Sequence, residues 1–358
     1  MQFRKKLLFA GILVLVIMLL SAVFWVSPAA VAVYDSVFFY PFQWLRAMLL
    51  GFIPFSVGDA LYVAGGAGLL WIVIKWIRYI FKFKTSKYLL AASLLHTIIT
   101  ILWVYLLFIL GWGANYNKQP LAKDWQLYDN SDTMRLSLYD SLLVERMNIL
   151  APSYRPLSLT ELNTDARQYY NTRTDCRLKR FGLGIKPSLF NYFIDRISIE
   201  GYYNPFTGEG QVSSLPGFIM PFVICHEMAH QAGIAAEGDA NLMAYAVATA
   251  SGNTTFEYSA TFNIWEYVDR RLFRKDSLLA KKLEARLHPI IQRHVAIMDS
   301  LGKLSDNGFN EYSAAMYDGY LKMQQQKEGI KSYGSIVKNA WLLEKKRLKS
   351  RNRLIHVP

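Results

Sequence analysis

The sequence predicts a mainly helical α+β fold in which three transmembrane helices at the amino terminus precede a domain with a small β-sheet. Three long apolar segments lie in the first third of the 358 residues. Helical periodicity and helix-capping signals dominate the remainder. One glycine-rich stretch, residues 197–214, has the alternation and turn residues of two short strands.

Residues 1–112 are predicted to be a membrane anchor. Helices are expected at about residues 7–26, 60–80 and 89–110, because one bilayer crossing requires about 20 apolar residues. The first and third of these segments contain no Asp, Glu, Lys or Arg, and the first is too long for a secretory signal. The aromatic segment 37–50 is expected to lie at the membrane interface or to re-enter the membrane.

The positions of Lys and Arg predict the orientation of the anchor. Three basic residues precede the first span, and five lie in the last turns of the second span and its connection to the third, whereas only Arg46 lies between the first and second. By the positive-inside rule the amino terminus is cytoplasmic, and residues 113–358 form an extracytoplasmic domain. In a bacterium with two membranes this predicts an integral inner-membrane protein whose domain faces the periplasm. The lipid bilayer is therefore an expected partner.

Residues 226–230 read His-Glu-Met-Ala-His, an HExxH motif. Positions i and i+4 share one face of a helix, so His226 and His230 can bind one zinc ion while Glu227 projects beside its open position. The apolar residues 219–232 predict that helix, with Pro221 in its first turn and Gly233 at its end.

A catalytic zinc ion requires a third protein ligand. A second helix is expected over residues 236–250, and both Glu237 and Asp239 lie in its first turn, where either carboxylate can reach the metal. Asn241 is one turn beyond Glu237 on the same face and is expected to orient a ligand.

These motifs resemble those of an uncharacterised membrane-anchored zincin family, a domain of unknown function numbered thirty-eight ten, which is similar to gluzincin-type HExxH metallopeptidases. The resemblance rests on His226–Ala235 with Glu237-x-x-Ala-Asn241, and extends to residues 54–59 and 203–209. It implies a zincin-like metallopeptidase domain and selects Glu237 as the third ligand. A metzincin is not expected, because Ala236 stands where that class has a third His.

The site predicts a membrane-anchored zinc metallopeptidase that cleaves a peptide or protein substrate, with one zinc ion and with Glu227 as general base on a zinc-bound water. Two alternatives are a zinc-binding sensor or scaffold without turnover and an amidase acting on cell-wall peptides. Tyr245, Tyr258 and His294 are candidates for the oxyanion donor, although Tyr245 has the helical spacing of a packing residue.

Residues 197–214 suggest where a substrate would bind. A peptide can add to the edge of a strand there, with Tyr202, Tyr203 and Phe206 shaping side-chain pockets. The alternative is an ordinary hairpin, since aromatic residues are common in strands.

The formal net charge of +13 does not indicate nucleic-acid binding, because it is concentrated in the membrane anchor and in residues 344–358. The basic residues of this tail are typical of a solvated helix end. The alternative is that they contact anionic lipid headgroups. Cys176 and Cys225 can pair in an oxidising compartment, although Cys225 suits a small core residue. A hydrogen bond to a neighbouring helix is enough to explain the presence of His96 in the third span. The sequence indicates no oligomeric state.

Further helices are expected in the domain. Ser158 and Glu161 form a capping box that opens a helix toward Tyr170, and the stretches 275–300 and 311–328 have helical spacing of apolar residues. Residues 113–120 are the expected linker.

Overall fold

A computed structural model of the chain describes residues 2–128, 134–172, 182–197, 199–305 and 335–355, together with the isolated positions 315, 318, 319 and 322. The predicted fold class is confirmed, because the described residues are mainly helical and include three apolar amino-terminal helices and one three-stranded sheet. The chain divides into two compact units. The first unit is Met1–Lys118 with Asn204–Glu209, and the second is Gln119–Tyr203 with Gly210–Pro358.

The first unit contains five α-helices: α1 (Gln2–Val26), α2 (Pro28–Tyr34), α3 (Tyr40–Leu50), α4 (Val57–Phe81) and α5 (Phe83–Gly111). Three of them, over Phe3–Val26, Val57–Phe81 and Phe83–Gly111, are long and apolar enough to cross a membrane. The Ser56 hydroxyl accepts a hydrogen bond from the Asp59 amide, so α4 begins before the residue at which its apolar run starts.

The segment expected at the membrane interface forms a π-helical turn (Asp35–Phe39) followed by α3. In α3, Gln43 and Arg46 are buried within the first unit. His96 in α5 contacts the ammonium group of Lys6 in α1, so it has a partner on a neighbouring helix.

Residues 113–120, expected as a linker, begin with a 3₁₀-helix over Gly113–Asn117. Ala114 and Asn115 are buried there, and the Asn115 amide donates to the Trp112 carbonyl. Local hydrogen bonds and burial thus order most of the expected linker, and the first unit extends to Lys118.

The second unit contains α6 (Leu121–Asp124), α7 (Leu136–Leu150), α8 (Leu159–Thr172), α9 (Asn191–Ile194), α10 (Met220–Gln231), α11 (Glu237–Thr249), α12 (Thr254–Lys275), α13 (Ser277–Glu284), α14 (Pro289–Ser305) and α15 (Ser335–Ile355). Helices α10 and α11 pack against each other and both contact α12, which also lies along α7. Nearly every residue of α10 and α11 is buried, so these two helices form the centre of the core.

The small sheet has the strand order β1 (Ile185–Pro187), β3 (Gly210–Val212), β2 (Gly201–Tyr203). The hairpin of β2 and β3 confirms the two predicted strands, and β1 adds a parallel strand that the sequence analysis did not identify. Because β3 is central, β2 is an edge strand. The alternation that marks a half-buried strand is absent from the three residues of β1, which explains why it was missed.

The capping box is present, with the Ser158 amide donating to the Glu161 carboxylate at 2.8 Å and α8 beginning at Leu159. The helical stretch predicted over residues 275–300 is two helices, α13 and α14, because Pro289 starts a new helix. The helix predicted over residues 311–328 falls almost entirely outside the described residues.

Candidate metal centre

Helix α10, which carries the HExxH motif, is fixed at both ends. Its Phe222 amide, one of the first-turn donors without a helical partner, donates to the Ser259 hydroxyl of α12 at 3.1 Å. At the other end Gly233 has φ of +78°, the Gly233 amide donates to the His230 carbonyl, and the Ile234 amide donates to the Ala229 carbonyl. These bonds form a Schellman motif, in which glycine relieves the strain of the left-handed residue.

The two imidazoles are oriented by hydrogen bonds at Nδ1. His226 Nδ1 lies 2.8 Å from Asn241 Oδ1 on α11, and His230 Nδ1 lies 2.7 Å from the Ile234 carbonyl in the turn after α10. Because both partners are acceptors, each Nδ1 carries a proton, and in the neutral form of each ring Nε2 keeps its lone pair. This is the arrangement in which outer partners fix the tautomer of a metal-binding His.

Glu237 begins α11 and brings a carboxylate to the two imidazoles. Its Oε2 lies 3.2 Å from His226 Nε2 and 3.6 Å from His230 Nε2, and the two Nε2 atoms are 3.1 Å apart. Tetrahedral bonds of about 2.0–2.1 Å place ligand atoms about 3.3 Å from one another. The three groups therefore have the size of a metal site, and together they could hold one ion.

Electrostatics favour a positive charge between these groups. Burial disfavours the imidazolium form of His230, but the Glu237 carboxylate outweighs burial and raises the pKa of His230 to about 9. Burial also disfavours the carboxylate form of Glu237, yet the two imidazoles hold its pKa well below the ordinary value. A bound divalent cation would supply this charge while leaving both imidazoles neutral.

Glu227 lies beside the three groups and is only 3% exposed. Burial raises the pKa of its carboxyl to about 7. Its Oε2 has no hydrogen-bond partner among the described residues, which is uncommon for a buried carboxylate oxygen.

The backbone of the hairpin packs closely on Glu227. A Cβ atom on Gly201 would lie 2.6 Å from Glu227 Oε1, and one on Gly210 would lie 3.2 Å from Glu227 Cβ. Glycine at these two positions therefore leaves room for the Glu227 side chain, and a larger residue would require the side chain or the strand to shift.

Asp239, the other carboxylate in the first turn of α11, takes a different position. It accepts a hydrogen bond from the Leu121 backbone, and burial raises its pKa to about 6. The group that could hold a metal comprises His226, His230 and Glu237.

The three residues considered as oxyanion donors have partners elsewhere in the second unit. The Tyr245 hydroxyl lies 3.1 Å from Glu344 and 3.5 Å from Arg146, and Tyr245 is fully buried. The Tyr258 hydroxyl lies 2.7 Å from His294 Nδ1, and the His294 ring stacks on Phe218.

The tyrosines of the edge strand lie near the candidate metal centre to different degrees. The ring centroid of Tyr203 is 6.2 Å from that of His230. The Tyr202 hydroxyl instead lies 2.7 Å from the Ser188 hydroxyl after β1. Phe206 belongs to the turn that forms part of the first unit.

Sequence reasoning missed two residues that act electrostatically on the site. Glu200 precedes β2, and burial raises its pKa against the opposing effect of His226. The pKa of Tyr267 on α12 is raised by burial, by the carboxylates of Glu200 and Glu266, and to a smaller extent by Glu237. Glu266 and Arg270, at i and i+4 in α12, form a 3.4 Å ion pair, and this spacing is visible in the sequence.

Cys225 precedes the first imidazole in α10 and is fully buried, and burial raises the pKa of its thiol. The possible partner Cys176 lies outside the described residues.

Comparison with known proteins finds a match to one family. No curated protein and no solved structure matches the chain. Residues 34–341 match a family described as "Protein of unknown function (DUF3810)". The match includes the second and third apolar helices, the hairpin and the candidate metal centre, so the chain belongs to the DUF3810 family.

Proposed function

We propose that this protein is a membrane-anchored zinc metallopeptidase of the zincin type that hydrolyses peptide bonds outside the cytoplasm. The observation that carries the proposal is the buried triangle of His226 Nε2, His230 Nε2 and Glu237 Oε2, with edges of 3.1–3.6 Å. Two imidazoles and one carboxylate are a ligand set that zinc prefers in hydrolytic enzymes, where the fourth position stays open.

A zinc ion held by these residues would supply Lewis acidity, which polarises a substrate carbonyl and lowers the pKa of water. The chain supplies the proton transfers. Glu227 takes a proton from the attacking water and returns it to the leaving amine, which suits amide hydrolysis. Glu227 Oε2, which has no hydrogen-bond partner among the described residues, is available for both transfers.

The edge strand β2 supports a peptide as substrate. An extended peptide beside β2 would run past Tyr203, whose ring lies next to that of His230. Main-chain hydrogen bonds to an edge strand are independent of side chains, so the side-chain pockets would determine specificity.

The proposed location is the bacterial inner membrane, with the amino terminus in the cytoplasm and the domain in the periplasm. Three helices long enough to span a membrane support this orientation, together with the Lys and Arg residues that cluster where α4 ends and α5 begins. A periplasm-dependent reporter fused after residue 120 is expected to be active, and an inactive fusion would reverse the topology.

The central experiment combines metal analysis with cleavage of a peptide library by the purified full chain. Wild type should contain one zinc ion per chain and cleave, whereas Glu227→Gln should retain zinc and lose cleavage by at least about 100-fold. Glu145→Gln is the matched control, because the Glu145 side chain is half exposed and forms only a 3.5 Å surface ion pair.

The outcomes separate the alternatives. Stoichiometric zinc without cleavage of any peptide would favour a zinc-binding sensor or scaffold. Cleavage restricted to cell-wall peptides would indicate an amidase. Absence of zinc, or full activity in Glu227→Gln, would refute the proposed enzyme.

A further inference from the structure

The small sheet of the second unit is held by a side chain at the edge formed by β1. The strand order makes β1 an edge strand, and an edge strand presents main-chain groups that no neighbouring strand pairs. Asn163 of α8 binds both main-chain polar groups of Ile185. Its Nδ2 donates to the Ile185 carbonyl at 2.9 Å, and its Oδ1 accepts from the Ile185 amide at 2.7 Å. The side-chain amide thus provides the donor and the acceptor that a further strand would provide.

A second side-chain amide joins the start of β1 to α10. Gln231, which directly follows His230, is buried, and its Oε1 accepts from the Gly184 amide at 3.0 Å. Its Nε2 donates to the Gly184 carbonyl, also at 3.0 Å. Helix α8 is itself bonded to α10, because the Tyr170 hydroxyl donates to the Cys225 carbonyl at 2.6 Å. The start of β1 is therefore fixed to the helix that carries the HExxH motif, both directly and through α8.

The Ile185 side chain connects β1 with Glu227. Ile185 lies opposite Gly210 in the parallel pair of β1 and β3. A Cβ atom on Gly210 would lie 2.6 Å from Ile185 Cδ1 and 3.2 Å from Glu227 Cβ, so the two side chains fill the space over Gly210 together. On β2, a Cβ atom on Gly201 would lie 2.6 Å from Glu227 Oε1. All three strands therefore border the Glu227 side chain.

The hydrogen bonds of these two amides are important because the strands are short. Each strand of the sheet has three residues, so the ladder between β1 and β3 has few hydrogen bonds. Asn163 and Gln231 add four hydrogen bonds to the main chain of Gly184 and Ile185. Helices α8 and α10 and all three strands belong to the second unit. The contacts between the sheet and Glu227 are therefore fixed within one compact unit.

We infer that Asn163 and Gln231 are positioning residues for the reaction: by holding Gly184 and Ile185 they set the position of the sheet against the Glu227 carboxyl. The inference rests on the proposed function, since that function assigns Glu227 the proton transfers. A displacement of about 1 Å at a reacting group can lower the rate by about 100-fold. Asn163 lies on α8, outside the candidate metal centre, so its replacement should leave metal binding intact.

The test compares Asn163→Ala with Asn148→Ala in the detergent-solubilised full chain. Asn148 of α7 is the matched control, because its Nδ2 donates to the Arg286 carbonyl at 2.8 Å and its Oδ1 accepts from the His288 amide at 2.8 Å. Both asparagines are partly buried, and each substitution removes two hydrogen bonds to the main chain. We therefore expect similar falls in melting temperature for the two variants.

Activity should distinguish the two variants. We expect kcat of Asn163→Ala to fall by at least about tenfold, while KM and zinc content change by less than about twofold. Amide hydrogen exchange over residues 185–187 and 210–212 should accelerate by at least about tenfold. Asn148→Ala should retain the kcat, the zinc content and the exchange rates of wild type in these strands.

Each result decides the inference. Unchanged kcat in Asn163→Ala, or an equal fall of kcat in both variants, would overturn it. Should Asn163→Ala fail to fold, Ile185→Val applies the same measurements, because it removes only Cδ1, the atom nearest to the space over Gly210. A wild-type protein that cleaves no peptide would refute the proposed function. In that case wild-type exchange in the Asn163→Ala strands would also overturn the role of Asn163, and faster exchange would support it.

Discussion

His226 and Asn241 are joined by a 2.8 Å hydrogen bond between Nδ1 and Oδ1, although they lie on different helices. The bond fixes the imidazole so that its Nε2 faces Glu237. Both Glu237 and Asn241 lie on α11, one helical turn apart, so a single helix supplies a carboxylate of the candidate metal centre and an acceptor for the imidazole.

Replacement of Asn241 should therefore weaken metal binding. Removal of an outer partner of a metal-binding His typically lowers affinity by about 10–100-fold, and we expect a loss of this size for Asn241→Ala. Asn241→Asp retains an acceptor at the same place and should bind zinc at least tenfold more tightly than Asn241→Ala. Competition with a chelator of known affinity measures both. Equal affinities for wild type and Asn241→Ala would contradict the assigned role.

Gly201→Ala tests the packing of the hairpin on Glu227. The new methyl group would lie 2.6 Å from Glu227 Oε1, so either the strand or the carboxylate must shift. We expect cleavage to fall by at least about tenfold while zinc content is preserved. Gly302→Ala in α14 is a suitable control, because a Cβ atom there meets nothing within 4 Å. An active Gly201→Ala variant would show that Glu227 tolerates movement.

Gly233→Ala tests the Schellman motif that ends α10. Alanine at φ of +78° costs about 1–2 kcal/mol. The same turn holds the Ile234 carbonyl against His230 Nδ1, so we expect zinc affinity to fall along with the melting temperature. Ala232→Gly changes the neighbouring residue without a left-handed conformation and provides the comparison. Retained zinc affinity in a destabilised Gly233→Ala would separate the two roles of the turn.

Asp140 on α7 predicts a dependence of stability on pH. Burial, reinforced by the negative charge of Asp269, raises the pKa of Asp140 to about 7. The folded chain then binds the proton more tightly than the unfolded chain, whose Asp titrates near pH 4. This contribution to stability is complete below about pH 4 and is lost as the pH rises toward 7.

Asp140→Asn should remove that dependence. At pH 8 we expect the melting temperature of the variant to exceed that of wild type by at least about 2 °C, and at pH 4 the two should agree. Thermal unfolding monitored by circular dichroism measures the difference. Asp195→Asn, at an exposed site, should follow wild type at both values. A variant that is less stable than wild type at pH 8 would show that the carboxylate form of Asp140 stabilises the folded chain, which would contradict a raised pKa.

The parts of this structure that local signals determine could be predicted from the sequence. The lengths of the apolar segments predicted the three long helices. The i, i+4 spacing predicted that His226 and His230 lie on one face of a helix. Gly233 predicted the end of α10, because a glycine after an apolar helix is typical of the left-handed residue that ends a helix. Asn241 could be assigned to the site because the spacing from Glu237 is one helical turn.

The remainder depends on contacts between residues distant in the chain. The choice between Glu237 and Asp239 requires the path of the turn after α10, and Asp239 finds the Leu121 backbone, more than a hundred residues away. The contact of Arg46 with the Pro205 carbonyl joins residues 159 positions apart and has no periodic signature. Tyr245 is fully buried, as expected of a packing residue, but helical spacing does not reveal that its hydroxyl lies between Arg146 and Glu344.

The Schellman turn at Gly233 has a consequence for how the site assembles during folding. Because the chain reverses within a few residues, all three candidate ligands lie between positions 226 and 237. The entropy lost on closing so short a loop is small, and it grows only with the logarithm of loop length. The ligand cluster can therefore form as soon as two consecutive helices meet.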